Sequence, residues 1–244
     1  DKVVNLCEKY DVILLEDTCE SMGSKYRDTK LGTFGKMSSF STFFGHHIST
    51  IEGGFISTDD KDLYDILLAI RAHGWDRDLD VEKQIELQQD WDVSTFNSLY
   101  TFYYQGFNVR ATDLQAYIGL SQIDKLDDWG VRREYNYLTY QELVKNDYWK
   151  PNTELNDFTS NFAYPVIHPN RDKIVEQLQR GGVEVRPMIC GSMGTQPFYV
   201  KEYGRLELPK VTEIDSFGFY VPNNPHITDG EIVHISNIIN KGIR

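Results

Sequence analysis

Residues 12–15, Val-Ile-Leu-Leu, form an apolar run that stops at two carboxylates, Glu16 and Asp17. Such a run reads as a strand of a parallel sheet, buried on both faces, and carboxylates at its carboxyl end lie on the edge where open α/β sheets take up ligands. The next segments continue the alternation. Residues 38–44 and 54–58 read as two further strands. Residues 60–72 read as a helix, with Leu63, Ile66, Leu67 and Ile70 at helical spacing and Gly74 at its stop. Residues 1–10 read as the end of a helix, so the chain opens inside an element.

Residues 76–97 are polar and acidic without a clear period, and read as an insertion or lid with some helix. A long helix is predicted from Thr112, where Thr112 and Gln115 have capping-box spacing, to about Leu143, bent near Gly130 and linking two domains. The remainder reads as a small α/β domain. Its strands are residues 162–167, 183–186 and 217–221. Its helices are residues 170–180 and 228–240, the second with Thr228 and Glu231 at capping-box spacing.

Composition limits the partners. With 37 acidic and 25 basic residues, the net charge of −12 argues against nucleic acid or an anionic membrane, while an anionic small ligand remains compatible with a local cluster of donors. Cys7, Cys19 and Cys190 are far apart and form neither a C-x-x-C pair nor a disulfide framework. No apolar run of about 18 residues predicts a transmembrane helix, and no signal peptide is visible. The expectation is a cytoplasmic protein.

Three clusters carry the chemistry: residues 14–20 (Leu-Leu-Glu-Asp-Thr-Cys-Glu), residues 40–47 (Phe-Ser-Thr-Phe-Phe-Gly-His-His) and Glu52-Gly53-Gly54. Together with residues 106–116 (Gly-Phe-Asn-Val-Arg-Ala-Thr-Asp-Leu-Gln-Ala) and Arg132-Arg133, their order and spacing resemble the DegT/DnrJ/EryC1/StrS sugar aminotransferases, a branch of the fold-type-I pyridoxal-phosphate enzymes. The resemblance runs through essentially the whole chain and is weakest in residues 148–159 and around 193–208.

The resemblance implies an aspartate-aminotransferase-like α/β fold. Residues 1–130 would be the later part of the large cofactor-binding domain, and residues 131–244 a linker helix and the small C-terminal domain. The family's early strands and Gly/Ser phosphate-binding turn are not found, so the N-terminal part of the fold is expected to be missing. By resemblance Asp17 faces the cofactor's pyridine nitrogen, where a carboxylate keeps that nitrogen protonated and lets the ring accept electrons. Glu20 stands where the family usually has glutamine, near the ring hydroxyl, a departure that fits the dehydratase branch. Ser41 matches a phosphate-contacting serine. Asn108 and Arg110 match positions that reach across a dimer interface, Asn108 to the neighbouring phosphate site and Arg110 to the sugar nucleotide or a carboxylate. His73 matches a sugar-pocket position, and Arg186 is a weaker candidate for a carboxylate. Taken alone, each of these has an ordinary reading: a strand-end carboxylate, a strand serine, a loop hydrogen bond, a packed ring.

His46 decides the chemistry. Counted back from Glu52-Gly53-Gly54, it occupies the family's lysine position. A lysine amine forms a Schiff base with pyridoxal phosphate and imidazole cannot, so the amine form, pyridoxamine phosphate, would be held non-covalently. Imidazole still moves protons near neutral pH. That pattern is similar to the sugar 3-dehydratases of the family. A metal site at His46-His47 is disfavoured, because neighbours in a strand point to opposite faces and no partner shows ligand spacing. A CDP-sugar branch with the same replacement uses an iron–sulfur cluster, and no cysteine lies between Cys19 and Cys190 to hold one.

The implied reaction is therefore loss of the C3 hydroxyl from a nucleotide-linked 4-keto-6-deoxy sugar, with GDP-4-keto-6-deoxy-mannose favoured, on the way to colitose-type dideoxysugars of the O-antigen. The resemblance further implies L-glutamate as amino donor and a homodimer with shared sites. Two alternatives stay open: a nucleotide-sugar 4-aminotransferase, and a non-catalytic, dimer-forming relative.

Overall fold

A computed structural model describes residues 1–152 and 158–244. The weakly matching stretch 148–159 thus contains residues 153–157, which lie outside the described residues. In chain order the strands are β1 (Leu15–Asp17), β2 (Lys25–Tyr26), β3 (Thr29–Lys30), β4 (Met37–Ser41), β5 (Gly54–Ser57), β6 (Ala163–Ile167), β7 (Arg186–Pro187) and β8 (Gly218–Pro222). The helices are α1 (Lys2–Tyr10), α2 (Lys61–Ile70), α3 (Val81–Asp90), α4 (Thr95–Ser98), α5 (Asp113–Ile123), α6 (Leu126–Leu143), α7 (Arg171–Arg180), α8 (Pro197–Tyr203), α9 (Pro209–Phe217) and α10 (Asp229–Ile243). They fall into two compact units. Asp1–Cys19, Gly32–Phe44 and Ile48–Ile123 make the first; Glu20–Leu31, Gly45–His47 and Asp124–Arg244 make the second.

The first unit is built on a sheet of order β1-β4-β5. β1 runs parallel to β4, with Asp17 opposite Ser39, and β5 is antiparallel to β4. Two strand expectations need correction. β1 begins at Leu15 and includes Glu16 and Asp17, and Val12, Ile13 and Leu15 are 58%, 71% and 58% exposed rather than buried. Pairing with β4 starts only at Leu15↔Met37, and β1 is an edge strand of three, so the upstream residues stand outside the sheet. The strand expected over residues 38–44 ends at Ser41, where the chain turns out of the sheet. There the Phe43 N–H donates to Ser41 Oγ (3.2 Å) and the Phe44 N–H to the Ile51 carbonyl (3.0 Å). His46 and His47 consequently sit on a turn, and strand alternation does not describe them.

The helical insertion is resolved into α3 and α4, each started by a side-chain cap: Asp80 accepts from Lys83 N–H and Ser94 from Asn97 N–H. Thr112 and Gln115 form both reciprocal bonds of the capping box, at 3.3 and 2.8 Å. The single bent helix expected from Thr112 is instead two, α5 and α6, separated at residues 124–125. Gly130 lies inside α6, beside the Phe158 ring, and the break falls before it.

The second unit has a sheet of order β6-β8-β7 with antiparallel pairing throughout. Tyr140 of α6, Ile174 and Leu178 of α7, Phe219 and Val221 of β8, and Ile232 and Ile239 of α10 form its core. The strand expected over 183–186 is only Arg186–Pro187, because Val183 and Val185 pack against the core instead of joining the ladder. α10 starts with the expected capping box, Thr228 with Glu231. A two-residue-per-strand hairpin, β2–β3, completes the unit and is tied by Lys25 to Phe158. Among the described residues no helix is long and apolar enough to cross a membrane. Leu178 is fully buried in the core, so Leu178→Ala should lower stability by about 2–5 kcal/mol in urea unfolding; a loss below about 1 kcal/mol would place that residue outside a close-packed core.

Candidate active site

In the first unit, the β1–β4 register decides which side chains share a face. Side chains alternate along a strand and paired residues lie on the same side, so Asp17, Ser39 and Ser41 face one way and Glu16 the other. Asp17 Oδ1 accepts from Ser39 Oγ and from the Cys19 N–H, both at 3.2 Å. Glu16 does different work. Its carboxylate accepts the backbone N–H groups of Gly32 (2.7 Å), Phe34 (2.6 Å) and Gly35 (2.7 Å), and so folds the approach to β4 back onto β1. Reading Glu16-Asp17 as one acidic motif missed this division, which the alternation of a strand already contains.

The chain after Ser41 is held by a threonine pair, Thr42 and Thr50, whose hydroxyls are 2.6 Å apart. Gly53, at φ 152°, leaves the space that those two hydroxyls occupy. Ile51 adopts φ 73°, a conformation that costs a β-branched residue about 1–3 kcal/mol. Stored strain of this kind is common in loops that carry a site.

A second group in the same unit gathers His73, Asn108 and Arg110. Ala72 and Asn108 form an isolated antiparallel bridge, the His73 N–H donates to the Phe107 carbonyl (2.6 Å), and the Val109 N–H to the Arg71 carbonyl (3.0 Å). His73 itself has φ 65°. Its ring lies 4.6 Å from that of Trp75, which also carries the guanidinium groups of Arg77 at 3.8 Å and Arg110 at 5.9 Å. Trp75 lies in the stretch 71–75 that resembles the dehydratases but was not singled out, and Arg77 gave no signal; the bridge to residues 107–109 brings this stretch to Asn108 and Arg110.

In the second unit, His46 stacks on Phe162 with ring centroids 5.4 Å apart and an angle of 20°. Phe162 also lines a cavity of about 250 Å³ together with Glu20, Ser21, Met188, Ile189 and Tyr220. One ring therefore forms the wall of the cavity holding Glu20 and the platform of His46. Burial raises the Tyr220 phenol above its ordinary value; Arg186 opposes that and Glu20 adds to it, which places both charges within electrostatic reach. Arg186 spends its Nη2 and Nε on Glu184, at 2.5 and 3.0 Å. Phe162, Met188 and Tyr220 gave no signal in the sequence, being brought together from distant positions.

His47 has the opposite environment to its neighbour. It is 2% exposed, and its Nε2–H donates to the Ser160 carbonyl. Burial, and then the charge of Arg133, lower its pKa from 6.5 to about 4. Among the described residues no group of three or more His, Cys, Asp or Glu side chains is placed to hold a metal.

Solved structures place this architecture in a class. The Escherichia coli GDP-4-keto-6-deoxy-D-mannose 3-dehydratase with bound hydrated PLP matches with a TM-score of 0.83 at 30% identity, over 98% of this chain and 63% of that one. GDP-4-keto-6-deoxymannose 3-dehydratase with bound GDP-perosamine matches at 0.85 and 31%, over 98% of this chain and 64% of that one. The fold is that of the pyridoxal-phosphate-dependent aminotransferases, type I. Residues 1–240 match the DegT/DnrJ/EryC1/StrS aminotransferase family, and the chain belongs to it. A curated relative, GDP-4-keto-6-deoxy-D-mannose 3-dehydratase of Yersinia pseudotuberculosis, is 33% identical over 249 aligned residues, 99% of this chain. The chain spans 63% of that relative's length.

The His47 environment has a measurable consequence. Because the unfolded ring titrates near 6.5 and the folded one near 4, the unfolded chain binds more protons between those values. Stability is full above the unfolded value, declines as pH falls through the window, and levels off below the folded value. The full decline is roughly 3 kcal/mol. Urea unfolding of the wild type and His47→Gln across this range should show a flatter profile for the variant, whose amide does not titrate. Equal slopes would mean that the folded ring accepts a proton as readily as the unfolded one.

Proposed function

We propose that the protein to which this chain belongs removes the C3 hydroxyl of a nucleotide-linked 4-keto-6-deoxy sugar, with pyridoxamine phosphate as cofactor and glutamate as amino donor. The observation that carries this reading is an imidazole, His46, at the family's lysine position, stacked on the wall of the cavity that holds Glu20. The similarity to two GDP-4-keto-6-deoxymannose 3-dehydratases over nearly the whole chain supports GDP-4-keto-6-deoxy-mannose as substrate. Residues 1–130 would then serve as the later part of the cofactor-binding domain, and residues 131–244 as the linker helix and small domain. A cytoplasmic enzyme feeding colitose-type sugars into lipopolysaccharide agrees with this substrate.

The donor set fits the cofactor. Asp17 and Ser41 lie on one face of adjacent strands, near their carboxyl ends, and offer a carboxylate for a ring cation and a hydroxyl for a phosphate. Bound there, the cofactor supplies an amine for the sugar ketone and a ring that stores an electron pair. By the resemblance, Asp17 would keep the ring nitrogen protonated, Ser41 would hold the phosphate and Glu20 would attend the ring hydroxyl. His46 would carry the protons, as a positioned imidazole can near neutral pH: one from the cofactor's C4′ carbon and one to the departing C3 hydroxyl. His73 and Arg110 face the sugar nucleotide, and Arg186 is assigned a carboxylate. The net change converts the sugar and glutamate into a 3-deoxy-4-keto sugar, 2-oxoglutarate and ammonia.

A homodimer with shared sites completes the proposal. Leu114, Tyr117 and Leu120 recur along one side of α5 and are 68%, 75% and 67% exposed, and Phe107 and Val109 beside Asn108 are also exposed. Exposed apolar side chains of this kind suit a second copy of the chain, and Asn108 would complete the partner's phosphate site.

Two experiments on the complete native protein test the reading. With glutamate and GDP-4-keto-6-deoxy-mannose, the wild type should release ammonia and a 3-deoxy sugar, and His46→Asn should be slower by about 10²–10⁴-fold while still binding pyridoxamine phosphate. A stable 4-amino sugar from the wild type would favour an aminotransferase, and wild-type dehydration by His46→Asn would remove His46 from the proton path. Separately, inactive His46→Asn and Asn108→Ala chains should regain activity when mixed into heterodimers. Heterodimers without activity would count against shared sites.

A further inference from the structure

In the second unit, one short segment holds both histidines. Ser160 accepts the ring N–H of His47 on its carbonyl, and Phe162, two residues on, stacks against His46. α6 grips the same turn from elsewhere: Arg133 Nη2 donates to the His47 carbonyl at 3.2 Å. Asn223 then ties the helix to the segment, its Nδ2 donating to the Arg133 carbonyl (3.1 Å) and to the Asn161 carbonyl (2.8 Å). The Ser160 N–H donates to Ser24 Oγ at 2.9 Å. His47, Arg133, Ser160, Asn136 and Asn223 are each at most 3% exposed.

This closed set is incompletely satisfied by protein. Among the described residues, Arg133 Nε and Nη1, His47 Nδ1, Ser160 Oγ, and the Oδ1 atoms of Asn136 and Asn223 have no hydrogen-bond partner. They comprise two donors, three acceptors and one hydroxyl that can serve as either. Since Nε2 gives its hydrogen to Ser160, His47 Nδ1 must be an acceptor. Buried donors and acceptors left over in one small region are the usual setting of internal water, which bonds about three such groups at a time. A buried guanidinium without such partners would be costly, and burial alone already lowers Arg133 to about 10.

We propose that His47 and Arg133, bridged by buried water, form a brace that fixes the plane of the His46 ring. The proposal rests on His46 being the proton carrier. His47 is anchored at both its ring and its carbonyl, so the backbone that leads out of His46 is tied at two points. Phe162 supplies the opposing face, and Asn223 fixes the carbonyl immediately before it. His47 and Arg133 are positioning residues: they act on the reaction only through His46. A ring displaced by a fraction of its contact distance loses its line to the carbon it must deprotonate, and a misplacement near 1 Å costs about 10²-fold.

The complete native protein is the test object. His47→Leu removes the ring N–H and should reduce kcat about 10²-fold with KM nearly unchanged. His47→Gln places an amide N–H where Nε2 was and should recover most of the turnover. In selectively labelled protein without substrate, the His46 ring resonances should move and broaden in His47→Leu and return to their wild-type positions in His47→Gln. This second readout needs no dehydratase activity, so an error in the substrate leaves it intact. Wild-type kcat and unmoved His46 resonances in folded His47→Leu would overturn the brace. Should His47→Leu not fold, the wild type still decides the matter: the Arg133 Nε–H should exchange slowly and show a cross-peak to long-lived water. Its absence would overturn the water-bridged arrangement.

Discussion

The His47 ring gives its Nε2 proton to the Ser160 carbonyl in surroundings that leave it 2% exposed. Holding a charge there would require desolvating an imidazolium beside the Arg133 guanidinium, so the ring stays neutral to about pH 4. The turn at residues 45–47 can then be built around a fixed, uncharged group. Three further contacts gather around this anchor: the bond of Arg133 to the His47 carbonyl, the Asn223 link from α6 to Asn161, and the Phe162 ring stacked on the His46 imidazole.

The first unit solves a similar problem with a strand. Neighbouring carboxylates in β1 point to opposite sides of the sheet, so one can be structural while the other is offered to a ligand. Glu16 satisfies three backbone N–H groups of the segment leading into β4, fixing where that strand begins. Asp17, through the register that sets it opposite Ser39, shares its face with Ser41. Removing the Glu16 carboxylate would strand three donors and loosen the approach to β4, with Asp17 affected only through the register. A change at Asp17 leaves those three bonds in place.

Much of this was readable from periodicity. The spacing of Leu63, Ile66, Leu67 and Ile70 located α2, and the Thr228–Glu231 pair marked the start of α10. Boundaries that depend on pairing were not readable. The carboxylates do close β1, as read, but its start was not readable: pairing begins only at Leu15, and Val12 and Ile13 stay exposed. Residues 42–44 continued the strand pattern of β4, but hydrogen bonds back from Ile51 and Ser41 pull them out of the sheet. The motif around His46 was legible because its members are close in sequence. The cavity was not, because Glu20, Phe162, Met188 and Tyr220 come from four separate segments, and no local pattern records that they meet.

Two imidazoles side by side in a chain would ordinarily compete for protons, each charge lowering the affinity of the other. Here the fold separates them by environment. One wall of the turn buries His47 and pushes its titration far below neutrality, with the His46 charge contributing in the same direction. At neutral pH His47 is then uncharged and adds no second charge beside His46. The buried His47 thus anchors the turn through its ring and its carbonyl without adding a second charge.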